Sequence, residues 1–164
     1  MIDGRLQVST ARAGLGRKVG HDLLLEPARW NVTRTADGVE VTVEAASLEV
    51  VEGTGGVLPL TDSDRREIGK NLRKILDVAR HPTITFRAAV EGGIGVEGGT
   101  EAVGELTVRG VTRPLRVTAA VEDGHARGDV VIRQSDHGIK PFSAFFGALK
   151  LADEVTVTFD LTES

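Results

Sequence analysis

The feature that most constrains this chain is a two-residue period that returns in four long segments. Val39, Val41 and Val43 alternate with Glu40, Thr42 and Glu44, and Ile84, Phe86, Ala88 and Val90 alternate with Thr85, Arg87 and Ala89. Leu115, Val117, Ala119 and Val121 alternate with Arg116, Thr118 and Ala120, and Val155, Val157, Phe159 and Leu161 with Thr156, Thr158 and Asp160. Successive side chains of a strand point to opposite faces, so each segment carries one apolar face and one mostly polar face. Antiparallel strands covered on one side have this pattern. Residues 6–8, 23–25, 30–32, 106–108 and 130–132 repeat it in shorter form.

The punctuation between these segments points the same way. Asp37-Gly38 and Asp123-Gly124 stand between alternating runs, where a two-residue hairpin turn needs positive φ. Arg109-Gly110 marks another turn, and Pro114 is expected to open the strand after it, where a missing N–H does least harm. Glycine supplies 20 of 164 residues, well above the usual ~7%, and aromatic residues only 4%. Short strands, tight turns and a core of small aliphatics follow.

One segment breaks the period. Ile68, Leu72, Ile75, Leu76 and Ala79 recur at helical spacing, so a helix is expected over about residues 61–80. Thr61 and Asp64 are spaced as a capping pair, and His81-Pro82 provides a stop, because the residue before proline avoids the α region. Its six basic and four acidic residues read as a solvated outer face. About eight strands and one helix insertion, with no linker or change of composition, make a single domain over residues 1–164. The elements do not alternate strand with helix, which argues against a parallel α/β sheet. A barrel or a sandwich remains, and closure into a barrel removes the exposed edges.

Several function classes receive no support. The chain has no cysteine, so thiol chemistry, disulfides and zinc–cysteine sites are out. A net charge of −4 with mixed signs gives no nucleic-acid footprint. No apolar run is long enough for a transmembrane helix, and the first residues lack a basic stretch followed by an apolar one, so the expected location is cytoplasmic. His21-Asp22 and Asp136-His137 have no spacing typical of a metal site, and no serine stands in a nucleophile elbow. His81 reads as a helix stop and His125 as a turn residue. The expectation is a protein that is not an enzyme and carries no cofactor or metal.

The inward faces, with Val41, Val43, Phe86 and Val117 among them, are mostly small, and such an interior is either filled or hollow. Trp30 either lines a cavity or packs the base of a core. Phe142, Phe145 and Phe146 cluster before the last strand, as a lid touching a ligand or as a plug at one barrel end.

The chain resembles the YceI-like family of lipocalin-like, polyisoprenoid-binding barrels. The resemblance rests on Val19-Gly20-His21-Asp22-Leu23, His81-Pro82-Thr83-Ile84-Thr85-Phe86, Leu106-Thr107-Val108-Arg109-Gly110-Val111-Thr112, Asp136-His137-Gly138-Ile139 and Leu151-Ala152-Asp153-Glu154-Val155, in that order. It implies an all-β fold with one helix insertion, an extended eight-stranded antiparallel barrel holding an isoprenoid or other long-chain lipid without reaction. Trp30, Val41, Val43, Phe86, Val117, Phe142, Phe145 and Phe146 would then contact the chain. If the ligand has a pyrophosphate head, Arg17 and Lys18 are the first candidates to meet it, with Arg73 and Lys74 as the alternative. The chain departs from the resemblance at His137, where many relatives carry an aromatic. A homodimer is compatible with all of this. The alternatives are a ligand-free barrel acting in stress response through a protein partner, and an enzyme using His21, Asp22 or His137 on a bound lipid.

Overall fold

The structure, a computed structural model, describes residues 2–13, 22–54, 60–90, 97–141, 143–144 and 149–163. Among these residues eleven strands form one antiparallel sheet: β1 (Ile2–Ala13), β2 (Asp22–Pro27), β3 (Trp30–Arg34), β4 (Gly38–Glu44), β5 (Leu48–Thr54), β6 (Thr83–Val90), β7 (Thr100–Val108), β8 (Val111–Glu122), β9 (His125–Arg133), β10 (Ser143–Ala144) and β11 (Leu149–Glu163). Hydrogen bonding follows the order β3-β4-β6-β7-β8-β9-β11-β1-β2-β5, with the two-residue β10 paired to β11.

The strand count exceeds the expected eight because two long strands are broken at one shared corner. Ala28 and Arg29 bend the chain between β2 and β3, and a 3-10 turn, Ala45–Ser47, bends it between β4 and β5. Since β2 pairs β5 while β3 pairs β4, each bent strand lies along the other on both sides of the corner. Counted as single bent strands, and with the two-residue β10 left aside, they make eight, and the curled sheet returns on itself. Ser47 holds both bends. Its Oγ accepts from the Arg29 N–H at 3.1 Å and donates to the Glu44 carbonyl at 2.7 Å. The Ala28 N–H donates to the Ser47 carbonyl at 3.0 Å, and the Glu44 N–H to the Arg29 carbonyl at 3.0 Å. Ser47 is 2% exposed, so these bonds form away from water.

The turns divide into expected and unexpected. Arg109 and Gly110 have φ of 51° and 74°, and Asp123 and Gly124 have 52° and 78°, the positive values of a twist-matched two-residue hairpin turn. Asp37-Gly38 does not follow suit, since neither residue has positive φ among those that do. That turn is tied instead by the Thr35 Oγ1, which accepts from the Gly38 N–H at 3.0 Å. Glycine is needed at 38 for space, because a Cβ there would sit 1.9 Å from the Ala88 carbonyl oxygen. Pro114 is the fourth residue of β8, not its first.

The helix α1 runs Asp62–Ile75, with the reciprocal capping box between Thr61 and Asp64 that the spacing predicts. It ends five residues before the expected stop. Asp77 enters the left-handed region at φ 49°, and the Asp77 and Val78 N–H groups close back on the Lys74 and Arg73 carbonyls at 3.1 and 3.2 Å. This Schellman arrangement ends the helix ahead of His81-Pro82. Ile68, Leu72, Ile75 and Leu76 pack on a cluster that includes Leu25, Leu48, Leu106 and Ile139, at the end of the sheet where β5, β7 and β9 finish. Ala79 lies exposed. The opposite end carries the 35–37 and 123–124 turns together with Ile2 and Glu163.

Replacing Ser47 by Ala removes the shared partner of both bends. The variant is expected to lose about 1–3 kcal/mol, as for a buried group left unpaired, read as a lowered urea midpoint at unchanged slope.

Candidate functional site

The alternating faces identified from sequence converge on one space. Val39, Val41 and Val43 of β4, Ile84 and Phe86 of β6, and Val117 and Val121 of β8 face a cavity of about 570 Å³. Val155, Val157, Phe159 and Leu161 of β11 complete much of the far wall. The bore is lined almost wholly by apolar side chains. Small residues on its wall, Ala102 on β7 and Ala119 on β8, leave space that larger side chains would fill. Val41, Phe86, Val117, Val157 and Phe159 are only half-buried although they face inward. In a filled barrel they would be sealed by their neighbours. Here their accessible surface borders the cavity.

Of the residues expected to meet a ligand, Trp30, Val41, Val43, Phe86 and Val117 all line this space. Val43 is the exception in degree, at 7% exposed, since it lies close to the corner. Phe142, Phe145, Phe146, Arg17 and Lys18, and with them His21, lie outside the described residues. Arg73 and Lys74 are exposed in the last turn of α1. Sequence reading missed Asn71 and Gln134, which also line the cavity, as does His137, named there only as an acid–base candidate. Asn71 follows Ile68 by three residues, so the helical stripe itself placed it on the inner face. Nothing in the pattern flagged Gln134, which sits with His137 in a 3-10 turn, Gln134–His137, that follows β9.

His137 is 3% exposed, and its Nδ1 lies 2.9 Å from the Val111 carbonyl oxygen, to which it donates. The Gln134 amide donates to the Ala152 carbonyl at 3.1 Å. His125 is not a turn residue; it opens β9 and its Nδ1 is 2.6 Å from Asp160 Oδ1. Among the described residues no group of three His, Asp or Glu side chains is placed to hold a metal ion.

The sheet is not evenly paired around the bore. Strands β8 and β9 pair only at residues 120–122 and 125–127, next to their turn, and then part. A second, polar recess of about 220 Å³ opens between them, bordered by Arg113, Pro114, Val131, Arg133 and Asp136. Leu106, Leu115, Ile132 and His137 border both spaces. At the other end, Arg34 on β3 donates to Glu163 on β11, a latch across the end of β1. Outward-facing partners on adjacent strands also pair, with Glu40 facing Arg87 and Asp160 facing Arg127. Such exposed pairs help register more than stability.

These features define a hollow, lipocalin-like antiparallel barrel with an apolar bore. The family model described as the YceI-like domain matches residues 4–162, and the chain belongs to that family. The fold is similar to that of BcnA from Burkholderia cenocepacia, at 16% identity and a TM-score of 0.69, over 100% of each chain. It is also similar to the YceI protein of Campylobacter jejuni, at 15% identity and a TM-score of 0.56, over 85% of this chain and 84% of that one. No curated protein matches the sequence. No helix among the described residues is long and apolar enough to cross a membrane.

The Arg34 hydrogen bond holds the Glu163 carboxyl below the ordinary carboxylate range. A depressed folded pKa means that the latch contributes above the unfolded carboxylate pKa and is lost as pH falls through the folded one. Carbon-detected NMR titration should therefore give Glu163 a lower midpoint in the native protein than in Arg34→Gln. The stability difference between the two proteins should vanish in acid below that midpoint.

Proposed function

We propose that this protein binds and carries a long apolar molecule, an isoprenoid or other lipid chain, inside the barrel and does not transform it. The observation that carries this reading is the open, aliphatic bore of about 570 Å³, whose inward side chains remain half-exposed to it. That volume lies within the range of small-molecule sites, and the lining offers few polar groups to a reacting centre. Each methylene transferred from water into such a lining gains about 0.8 kcal/mol, so a chain of ten carbons outweighs much of the cost of ordering it. Membership of the YceI-like family supports the same reading.

Trp30, Val41, Val43, Phe86 and Val117 are the proposed contacts, being both on the bore and spread around its wall. Among the described residues the one buried imidazole, His137, is committed through Nδ1 to a backbone carbonyl, which suits a fixed hydrogen-bonding group better than a mobile proton carrier.

Organic extracts of the purified protein, read by mass spectrometry beside native spectra of the intact species, should contain a stoichiometric isoprenoid, quinone or fatty acid. Two blocking variants test the location. Val41→Trp and Val117→Trp place a large ring in the bore at an expected cost of about 1–3 kcal/mol in stability. Both should remain folded by circular dichroism and lose uptake of a fluorescent apolar probe by at least about tenfold, a loss of roughly 1.4 kcal/mol in binding. Unchanged uptake in both would overturn the internal site.

A further inference from the structure

The parted strands β8 and β9 give the bore a chemical direction. The Val108 and Val111 residues close a two-residue turn and therefore form a hydrogen-bonded pair. Bonding alternates along an antiparallel ladder, so residues 111, 113 and 115 turn their main chain toward β7, and 112, 114 and 116 toward β9. Pro114 thus falls where β8 faces the gap, and its missing N–H leaves one fewer unpaired donor there. The gap is built to stay open.

Its border is polar and cationic where the bore is apolar. Arg113 and Arg133 flank it against a single carboxylate, Asp136. Arg133 lies 3.7 Å from Glu154, beyond hydrogen-bond distance. Arg113 reaches only the Thr112 carbonyl, at 3.2 Å, and forms no ion pair with a carboxylate among the described residues. Between the two spaces stands His137, 3% exposed and bordering both. Its Nδ1 is spent on Val111, while Nε2 has no hydrogen-bond partner among the described residues. Among these residues no fully enclosed side-chain nitrogen lacks a partner, so Nε2 keeps a path to open space. A polar atom beside an otherwise apolar bore favours a ligand group that can bond to it.

Resting on the carrier reading, we propose that the recess between β8 and β9 is the head-group site of an amphipathic ligand, with an acidic head, carboxylate or phosphate, bound between His137 and Arg113 while its tail runs along the bore. The imidazole supplies a fixed hydrogen-bonding nitrogen at the junction, and the guanidinium, lacking a carboxylate of its own, supplies charge and paired donors. The head remains near solvent through the gap, so its charge need not be fully desolvated. This site differs from the Arg17 and Lys18 pair that the sequence singled out.

The test compares three ligands with equal chains: palmitate, hexadecyl phosphate and neutral 1-hexadecanol. Calorimetric titration of the native protein should give at least one acid a higher affinity than the alcohol, and that preference should shrink with added salt. Arg113→Gln, a change at an exposed side chain, should weaken the preferred acid by roughly tenfold and 1-hexadecanol by less than twofold. His137→Phe should do the same, and Arg113→Gln carries the test alone if that variant does not fold. A response confined to palmitate or to hexadecyl phosphate supports the site and identifies the head as carboxylate or phosphate. Equal affinity of the native protein for all three, or an Arg113→Gln loss that is absent or shared by the alcohol, overturns the head-group site while the carrier reading stands. Failure of 1-hexadecanol and both acids to bind the native protein overturns the carrier reading as well.

Discussion

Everything in this barrel depends on one corner where two neighbouring strands bend together. Strands that pair along their whole length with a right-handed twist would form a continuous sheet, and closing it around a bore requires the sheet to turn sharply somewhere. Here β2–β3 and β4–β5 turn side by side, and Ser47 bonds to main-chain groups of both partners. The bend lets β2 face β1 and β4 face β6 at once. Without it, the inward valines of β4 would have no opposing wall and would lie open to water. The corner is thus the condition for the cavity, although it touches little of it.

A hollow interior has an energetic cost that the rest of the fold must offset. Side chains that border empty space lack the close contacts that a filled core provides. The compensation is concentrated at the helix end, where Leu25, Leu48, Leu76, Leu106 and Ile139 are buried together and α1 covers them. The bore itself gains its missing contacts only when something apolar enters. Binding to the folded state alone then adds RT ln(1 + [L]/Kd), about 2.7 kcal/mol at a hundredfold excess over Kd. Stability and occupancy are therefore linked through the same aliphatic wall.

The two-residue period made the wall legible from sequence. Val41, Val43, Phe86 and Val117 fall on the bore because strand parity is rigid and each segment has only one apolar face. The helix start was equally readable, since the Thr61–Asp64 capping box is local chemistry. Features set by partners at long range were not. The corner at Ala28, Arg29 and Ala45–Ser47 contains no unusual residue, and only the strands on either side make Ser47 a shared bond partner. The helix ended early because Asp77 took the left-handed conformation that glycine usually takes, a choice its residue type does not announce. Asp37-Gly38 looked identical to Asp123-Gly124 yet glycine serves clearance at the first and backbone conformation at the second.

The parting of β8 from β9 was the least legible feature and has the largest chemical consequence. Both segments alternate cleanly, and a register that continued past Gly128 would have satisfied the hydrophobic pattern as well as the observed one. β8 pairs β7 over residues 111–119 and β9 pairs β11 through Arg133, while their facing edges pair only beside the turn. Each strand keeps a full ladder on its outer flank and gives up the ladder between them. A barrel that closed this gap would gain several main-chain hydrogen bonds, each worth about 0.5–1.5 kcal/mol net, but it would seal His137 inside an apolar wall. Leaving the strands apart keeps one polar wall segment in contact with both water and bore. An apolar container thereby presents different chemistry at this recess than along its bore.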